Sequence, residues 1–187
     1  MTEDIQKAVE VLRKGGLILY PTDTIWGIGC DATNEEAVKR VYELKRRADS
    51  KALVILAADL DMVGRYVKEI PQMAIQLVEV NDAPMTIIYP GAMNLAHNAI
   101  AEDGSVGIRI PLPGTCDELV RRFGKPLVST SANISGEASA KTFDEISQEI
   151  EDGVDYIMDP ASEKNCTGKA SQIIKVGLNG EIKIIRA

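Results

Sequence analysis

Apolar residues spaced three and four positions apart predict two helices near the N-terminus. Thr2 can cap the first helix, and Gly15-Gly16 ends it. A capping box formed by Thr33 and Glu36 begins the second helix, which ends near residues 46–47. The same kind of spacing predicts shorter helices over residues 61–69, 71–80, 117–123 and 143–151.

Short apolar runs and alternating patterns predict strands over residues 17–20, 52–58, 85–89, 105–110 and 126–131. Residues 171–176 and 181–186 are typical of a hairpin with Asn179-Gly180 at its turn. Residues 22–32 are expected to form a loop. Because helices and strands mix without strict alternation, repeat or linker, we expect a single α/β or α+β domain over residues 1–187, built on a mixed sheet.

Composition narrows the class of protein. The chain is 45% hydrophobic and 26% charged, which is ordinary for a globular protein. No apolar run approaches the ~20 residues of a membrane span, and the N-terminus has no signal-peptide core. The cysteines, Cys30, Cys116 and Cys166, suggest no disulfide framework, and no cluster of residues has metal-ligand spacing. A cytoplasmic protein without a metal site of its own is the expectation.

Charge is unevenly distributed along a chain whose net charge is −7. Residues 144–163 hold eight acids and no Lys or Arg, a pattern typical of a solvated surface. Residues 39–51 hold six bases against two acids. A local basic pocket on an acidic body suits a small anionic ligand better than a nucleic acid.

Two segments carry candidate chemistry. Lys45, Arg47 and Lys51 lie at a predicted helix end, where they could simply complement the helix dipole or could converge on a polyphosphate. The segment S-T-S-A-N-I-S-G (129–136) follows a predicted strand and is either a polar turn or a set of hydrogen-bonding groups for a ligand.

Other motifs are weaker. G-I-G-C-D-A (27–32) has dinucleotide-fingerprint spacing but is separated from the preceding strand by six residues, so its glycines are better explained by close backbone packing. G-K-A-S (168–171) lacks the first glycine and the final Ser or Thr of a P-loop. His97 is the only histidine, and a surface position is expected for it.

Taken together and in order, several segments resemble the YrdC-like threonylcarbamoyl-AMP synthase family. The opening L-Y-P-T-D-T is similar to the family's start, and K-R-R-A-D-S-K to its Lys-x-Arg motif. P-M-T, S-V-G-I-R-I-P and A-S-Q-I-I are similar to three further motifs, and P-L-V-S-T-S-A-N-I-S-G matches the most specific one almost letter for letter. The resemblance covers nearly the whole chain and implies the short, single-domain form.

The resemblance implies an open, twisted, mixed α/β sheet flanked by helices around a deep concave groove. It also implies a nucleotidyltransferase that makes threonylcarbamoyl-AMP and pyrophosphate from L-threonine, bicarbonate or CO2, and ATP. The product would serve threonylcarbamoyladenosine modification of tRNA, with a hand-off to a downstream tRNA-modifying complex. Mg²⁺ would arrive with ATP.

Site residues follow from the matched motifs. Lys45 and Arg47 are expected to be catalytic. The residues expected to bind ATP are Lys45, Arg47, Lys51, Ser105, Asn133 and Arg186. The residues expected to hold threonine are Thr22, Arg109, Ser131 and Ser171.

Three alternatives remain open. One is a double-stranded RNA-binding module, against which the acidic total and the 4% aromatic content argue, so contact with tRNA or other RNA is the weaker expectation. Another is a paralogue acting on a different carbamoyl or acyl substrate, because Ala48 and Gln172 depart from the family's frequent residues. The third is a non-catalytic interaction subunit.

Overall fold

The computed structural model describes residues 2–47 and 53–187. Its helices are α1 (Glu3–Arg13), α2 (Glu35–Lys45), α3 (Leu60–Tyr66), α4 (Gln72–Val80), α5 (Thr115–Phe123) and α6 (Gln148–Asp152). Its strands are β1 (Ile18–Pro21), β2 (Trp26–Asp31), β3 (Val54–Leu56), β4 (Met85–Tyr89), β5 (Val106–Arg109), β6 (Leu127–Ser131), β7 (Tyr156–Ile157), β8 (Gln172–Val176) and β9 (Ile182–Arg186). Short 3-10 helices cover residues 97–99, 143–145 and 160–165.

The strands of the described residues form one mixed sheet, in the order β7-β1-β2-β6-β3-β5-β4-β8-β9. The pairs β1–β7, β3–β5 and β4–β8 are parallel, and the other neighbours are antiparallel. The predicted mixed sheet with flanking helices is therefore confirmed. The order also brings segments that are far apart in sequence side by side, since β2 and β3 both pair with β6.

The predicted helix starts are only partly correct. Thr2 caps α1 as expected, its hydroxyl accepting the Ile5 N–H at 3.3 Å. Helix α2 is capped by Asn34 instead of Thr33, because the Thr33 hydroxyl donates to the Asp31 carboxylate at 2.6 Å. The helix predicted over 143–151 is divided into a 3-10 turn at 143–145 and the short α6.

The prediction of a loop over residues 22–32 is wrong for its second half. Residues 26–31 form β2, a fully buried strand between β1 and β6. Its glycines serve packing: a Cβ on Gly29 would lie 2.6 Å from the Tyr20 ring and 3.1 Å from the Val128 carbonyl. The dinucleotide-fingerprint spacing therefore falls inside a strand, where it opens no helix.

The core lies on both sides of the central strands, with Tyr20, Trp26 and Tyr89 among its largest fully buried side chains. The hairpin of β8 and β9 is present as predicted, and β9 is an exposed edge strand. None of the helices in the described residues is long and apolar enough to cross a lipid bilayer.

Candidate active site

A cavity of about 310 Å³ is lined by residues of β2, β3, β5, β6, β8 and β9 and of the loops beside them. It brings together six of the predicted site residues, which come from five separate segments of the chain: Thr22, Arg47, Arg109, Ser131, Ser171 and Arg186. The cavity is also lined by residues that the sequence analysis did not select, among them Thr24, Trp26 and Ser139. Within the described residues the lining holds cations and hydroxyls but no carboxylate or histidine side chain.

The loop between β1 and β2 forms one wall, and its conformation is fixed by the Thr22 hydroxyl. This oxygen donates to the Ile25 carbonyl at 2.6 Å and accepts the N–H groups of Thr24 and Ile25 at 3.0 and 3.2 Å. The Thr24 hydroxyl lies 2.8 Å from it. Because the Thr22 hydroxyl donates to the Ile25 carbonyl, the Thr24 hydroxyl has to donate to Thr22, and its oxygen remains to accept a hydrogen bond from a ligand.

Residues 163–168 hold the β1–β2 loop and the start of β2 in place through hydrogen bonds. The Cys166 thiol donates to the Thr22 carbonyl at 2.8 Å, and the Gly168 N–H donates to the Thr24 carbonyl at 2.8 Å. Glu163 accepts the indole N–H of Trp26 at 2.5 Å, and burial raises the pKa of the Cys166 thiol to about 11, so the thiol remains a donor. No local sequence motif predicts these contacts, because they join residues more than 130 positions apart.

Arg109 lies on β5 with its side chain only 3% exposed, and its Nη1 contacts the carboxylate of Asp23. The predicted alternation of β5 explains this placement, since Val106 and Ile108 are buried in the core while Arg109 lines the cavity. Asp23 was not among the predicted site residues. Its position directly after Thr22 in T-D-T is the one sequence signal that could have suggested it.

Lys45 is buried at the end of α2, and its ammonium lies on the loop after β6 instead of lining the cavity. The Nζ lies 2.5 Å from the Ser131 carbonyl and 2.7 Å from the Asn133 carbonyl, with the side-chain oxygens of the same two residues at 3.5 and 3.3 Å. Burial, with a smaller contribution from Arg47, lowers the pKa of Lys45 to about 8. The surrounding oxygens favour the charged form and act against that shift.

Arg47 reaches the cavity because the chain turns sharply at the end of α2. Arg46 adopts a left-handed conformation with φ of 51°, and the Arg47 N–H donates to the Tyr42 carbonyl at 2.9 Å. The Arg46 side chain instead points away, where its guanidinium pairs with Glu149 at 2.5 Å. Neighbouring arginines thus have different surroundings, and only Arg47 lines the cavity.

Ser131 and Asn133 have different positions relative to the cavity. Ser131 lines the cavity. Asn133 stabilises the loop, since its amide donates to the carbonyls of Ile134 and Glu137 at 3.1 and 2.8 Å while its oxygen receives the Lys45 ammonium.

Ser171 and Arg186 form the opposite wall. The Ser171 hydroxyl lies 2.7 Å from the Thr86 hydroxyl, and both side chains are buried. Arg186 donates from Nε to the Ser171 carbonyl at 2.8 Å, which directs its guanidinium toward the cavity that it lines. The predicted hairpin therefore delivers two of its predicted site residues to the same place.

Ser105 does not line the main cavity. It borders an adjoining, largely apolar cavity of about 180 Å³, which shares Leu53, Val54 and Ile173 with the main one. The Ser105 hydroxyl donates to Asp103 at 2.6 Å. Lys51 lies outside the described residues.

Comparisons with known proteins show which family the chain belongs to. The family model Sua5_yciO_yrdC, described as "Telomere recombination", matches residues 10–187. The chain belongs to this Sua5/YciO/YrdC family. A threonylcarbamoyl-AMP synthase of Hahella chejuensis is 34% identical over 155 residues, which are 82% of this chain and 84% of that protein. Threonylcarbamoyl-AMP synthase is the name of an enzyme.

Solved structures of the Sua5/YciO/YrdC family have the same fold. A P. abyssi Sua5 complexed with L-threonine superposes with a TM-score of 0.85 at 27% identity, covering 94% of this chain and 52% of that one. The chain therefore spans about half the length of that Sua5. E. coli YciO superposes with a TM-score of 0.79 at 24% identity, covering 97% and 87% of the two chains, and this likeness concerns the fold alone.

Proposed function

We propose that this chain is an L-threonylcarbamoyladenylate synthase, a nucleotidyltransferase that uses L-threonine, CO2 or bicarbonate, and ATP. The observation that carries the proposal is a single cavity that holds a buried, carboxylate-paired arginine, Arg109, together with two further arginines, Arg47 and Arg186. A site for both an amino acid and a polyphosphate needs a paired, directional arginine and further positive charge in the same cavity. The name of the Hahella chejuensis relative and the L-threonine bound to P. abyssi Sua5 support the assignment.

L-Threonine is proposed to lie against β5 and the β1–β2 loop. Arg109 suits its carboxylate, because a guanidinium offers several N–H donors in a planar fork. The hydroxyls of Thr24, Ser131 and Ser171 line the same space and can hold the amine and the side-chain hydroxyl. Thr22, the residue expected from the motif, contributes by fixing the loop that carries Thr24.

ATP is proposed to place its phosphates against Arg47 and Arg186, with Lys51 from the same motif as a further ligand. Lys45 adds positive charge behind Ser131 and holds the loop through Asn133. A direct phosphate contact would require its ammonium to leave those oxygens. The adjoining apolar cavity bordered by Ser105 has room and polarity for the base.

The proposed reaction has two steps. The ammonium of threonine loses one proton to solvent, and the free amine then adds to CO2 and releases a second proton to solvent, which gives a carbamate. A carbamate oxygen then attacks the α-phosphorus of ATP in line, and pyrophosphate leaves. The protein's role in such a reaction is positioning and charge neutralisation, which hydroxyls and cations can supply without a protein nucleophile.

Mg²⁺ is proposed to arrive bound to ATP. Among the described residues, no group of three or more His, Cys, Asp or Glu side chains is arranged to hold a metal ion. An ion that arrives with ATP keeps its phosphate ligands and most of its waters, so it needs no such group. Its chemistry would be to neutralise phosphate charge.

The product is a reactive mixed anhydride, which we propose is handed to a downstream complex for threonylcarbamoyladenosine modification of tRNA. The sequence pattern of the cysteines favours the cytoplasm for this step.

The test is pyrophosphate release from ATP, with threonine and bicarbonate omitted in turn. We expect release to require both. Release that is indifferent to threonine would favour a paralogue with another substrate, and absence of ATP consumption would favour an interaction subunit. Tight, strongly salt-dependent binding of double-stranded RNA without pyrophosphate release would favour the RNA-binding module.

A further inference from the structure

The ion pair of Arg109 and Asp23 lies between two cavities. Arg109 lines the main cavity, whereas Asp23 lines a second cavity of about 250 Å³ on its other side. Both side chains are buried, at 3% and 8% exposure. The carboxylate therefore stands behind the guanidinium as seen from the main cavity.

Asp23 is itself held by its surroundings. One carboxylate oxygen contacts Arg109, and the other accepts the Leu112 N–H at 3.0 Å. Its backbone carbonyl accepts the Thr167 N–H at 3.1 Å. Because both carboxylate oxygens have partners at the end of β5 and the backbone of Asp23 is held by Thr167, the carboxylate has a defined position against the end of β5.

Arg109, in contrast, commits little of its hydrogen-bonding capacity. A guanidinium carries five N–H donors, and the hydrogen bond of Arg109 within the described residues is the one to Asp23. The other donors remain for the cavity that the residue lines. The direction in which they point depends on how the guanidinium is held from behind.

We infer that Asp23 is a positioning residue, which orients the guanidinium of Arg109 so that its remaining donors face the carboxylate of the amino-acid substrate. The inference rests on the proposed function, in which Arg109 binds that carboxylate. It concerns the orientation of the guanidinium, and it makes the opposite prediction from simple charge neutralisation. If Asp23 only cancelled charge, its loss would leave an unpaired cation that attracts the substrate more strongly.

The test is Asp23→Asn, which keeps the size of the side chain and removes its charge. It also places an amide group where the carboxylate accepts from both Arg109 and Leu112. We expect the KM for L-threonine to rise about 10- to 100-fold, the effect of a small misplacement of a binding group, with a much smaller change in the KM for ATP. L-Threonine affinity measured by calorimetry on the same variant should fall in parallel.

Asp31→Asn is the matched control. Asp31 is also 8% exposed, pairs with Lys125 at 3.3 Å and accepts a backbone N–H, from Thr33 at 2.8 Å, but it lies at the far end of β2. Asp31→Asn therefore also removes a buried charge, but at a residue that does not contact Arg109. We expect its KM for threonine to stay within about twofold of the wild type.

Asp23→Glu covers the case in which Asp23→Asn does not fold. It keeps the charge and moves the carboxylate by one methylene, so neutralisation predicts a normal KM for threonine and positioning predicts a raised one. In an Arg109→Lys background, Asp23→Asn should add little to the KM already raised by the lysine.

An unchanged or lowered KM for threonine in a folded Asp23→Asn or Asp23→Glu protein would overturn the inference. The proposed function fails separately, if the wild-type protein releases pyrophosphate without threonine or does not bind it.

Discussion

Two buried cations, Arg109 and Lys45, lie at the candidate site, and they differ in whether a carboxylate neutralises their charge. Arg109 contacts the carboxylate of Asp23. Lys45 lies among four oxygens of Ser131 and Asn133, all of them uncharged, and within the described residues it makes no ion pair. The first pair is neutral overall, whereas the second cluster keeps the positive charge of Lys45 beside the cavity at pH values below about 8.

This difference divides the cavity electrically. The pair of Arg109 and Asp23 offers directional donors without a net charge of its own, which suits an amino acid that carries both an amine and a carboxylate. Near Lys45 the retained charge adds to that of Arg47, which is close enough to contribute to the lowered pKa of Lys45. A polyphosphate is attracted to such a field in a poorly solvated site. One small cavity can in this way keep its two proposed ligands in separate places.

The largest effect is expected at the positive end, from Arg47→Ala. Loss of a preorganised cation next to the reacting phosphates should lower kcat about 10²- to 10³-fold. The melting temperature should change little, because Arg47 is only half-buried. Arg46→Ala is the matched control, since that neighbour points to Glu149. Equal activity of the two variants would show that Arg47 is no phosphate ligand.

A second effect concerns Lys45 and pH. Because the pKa of Lys45 is lowered from 10.5 to about 8, its ammonium loses its proton as the pH rises through about 8, and activity that depends on its charge should fall there. Lys45→Arg keeps a cation throughout this range. The ratio of wild-type to Lys45→Arg kcat should therefore decrease above pH 8, and a constant ratio from pH 7 to 10 would contradict the assignment.

The stability contribution of Lys45 has the opposite direction with pH. Below pH 8 both the folded and the unfolded chain hold the proton, and burial of the charge costs free energy. Between about pH 8 and 10.5 the folded chain releases the proton first, so the free energy of unfolding should rise with pH in that window. Denaturant melts of the wild type and of Lys45→Met across this range measure the difference.

The smallest effect is expected at the neutral end, from Thr86→Val. This change keeps the shape of the side chain and removes the hydroxyl that lies 2.7 Å from that of Ser171. Loss of one hydrogen bond, about 1 kcal/mol, should raise the KM for threonine severalfold. Thr86→Ser restores the hydroxyl and should return the KM toward the wild-type value. A raised KM for ATP with an unchanged KM for threonine would place Ser171 at the wrong end of the cavity.

The sequence predicted local elements well where one face of a segment is buried. Helix α1 and strand β5 have such patterns, and both were found where expected. Strand β2 was missed because it is buried on all sides and carries two glycines, so it shows no alternation. The cap of α2 was misassigned because Asp31 competes for the hydroxyl of Thr33, which a local pattern does not reveal.

The candidate site, too, was predicted from the sequence only in part. The motifs identified residue types for an anionic ligand, and most of these residues do line one cavity. Whether a side chain faces the ligand or supports its neighbour was decided by the fold. Lys45 and Asn133 bind each other, and Thr22 is occupied within its own loop.

By itself, then, the sequence determined the helices, most strands, the mixed sheet and the residues that come near the site. Those features follow from the spacing of apolar residues and from the order of motifs, which are local. The tertiary structure alone decided that Asp23 stands behind Arg109 and that Lys45 lies on neutral oxygens, since these partners are 86 to 88 positions apart. A charge acquires its role from its counter-charge and its solvation, and both are set by packing.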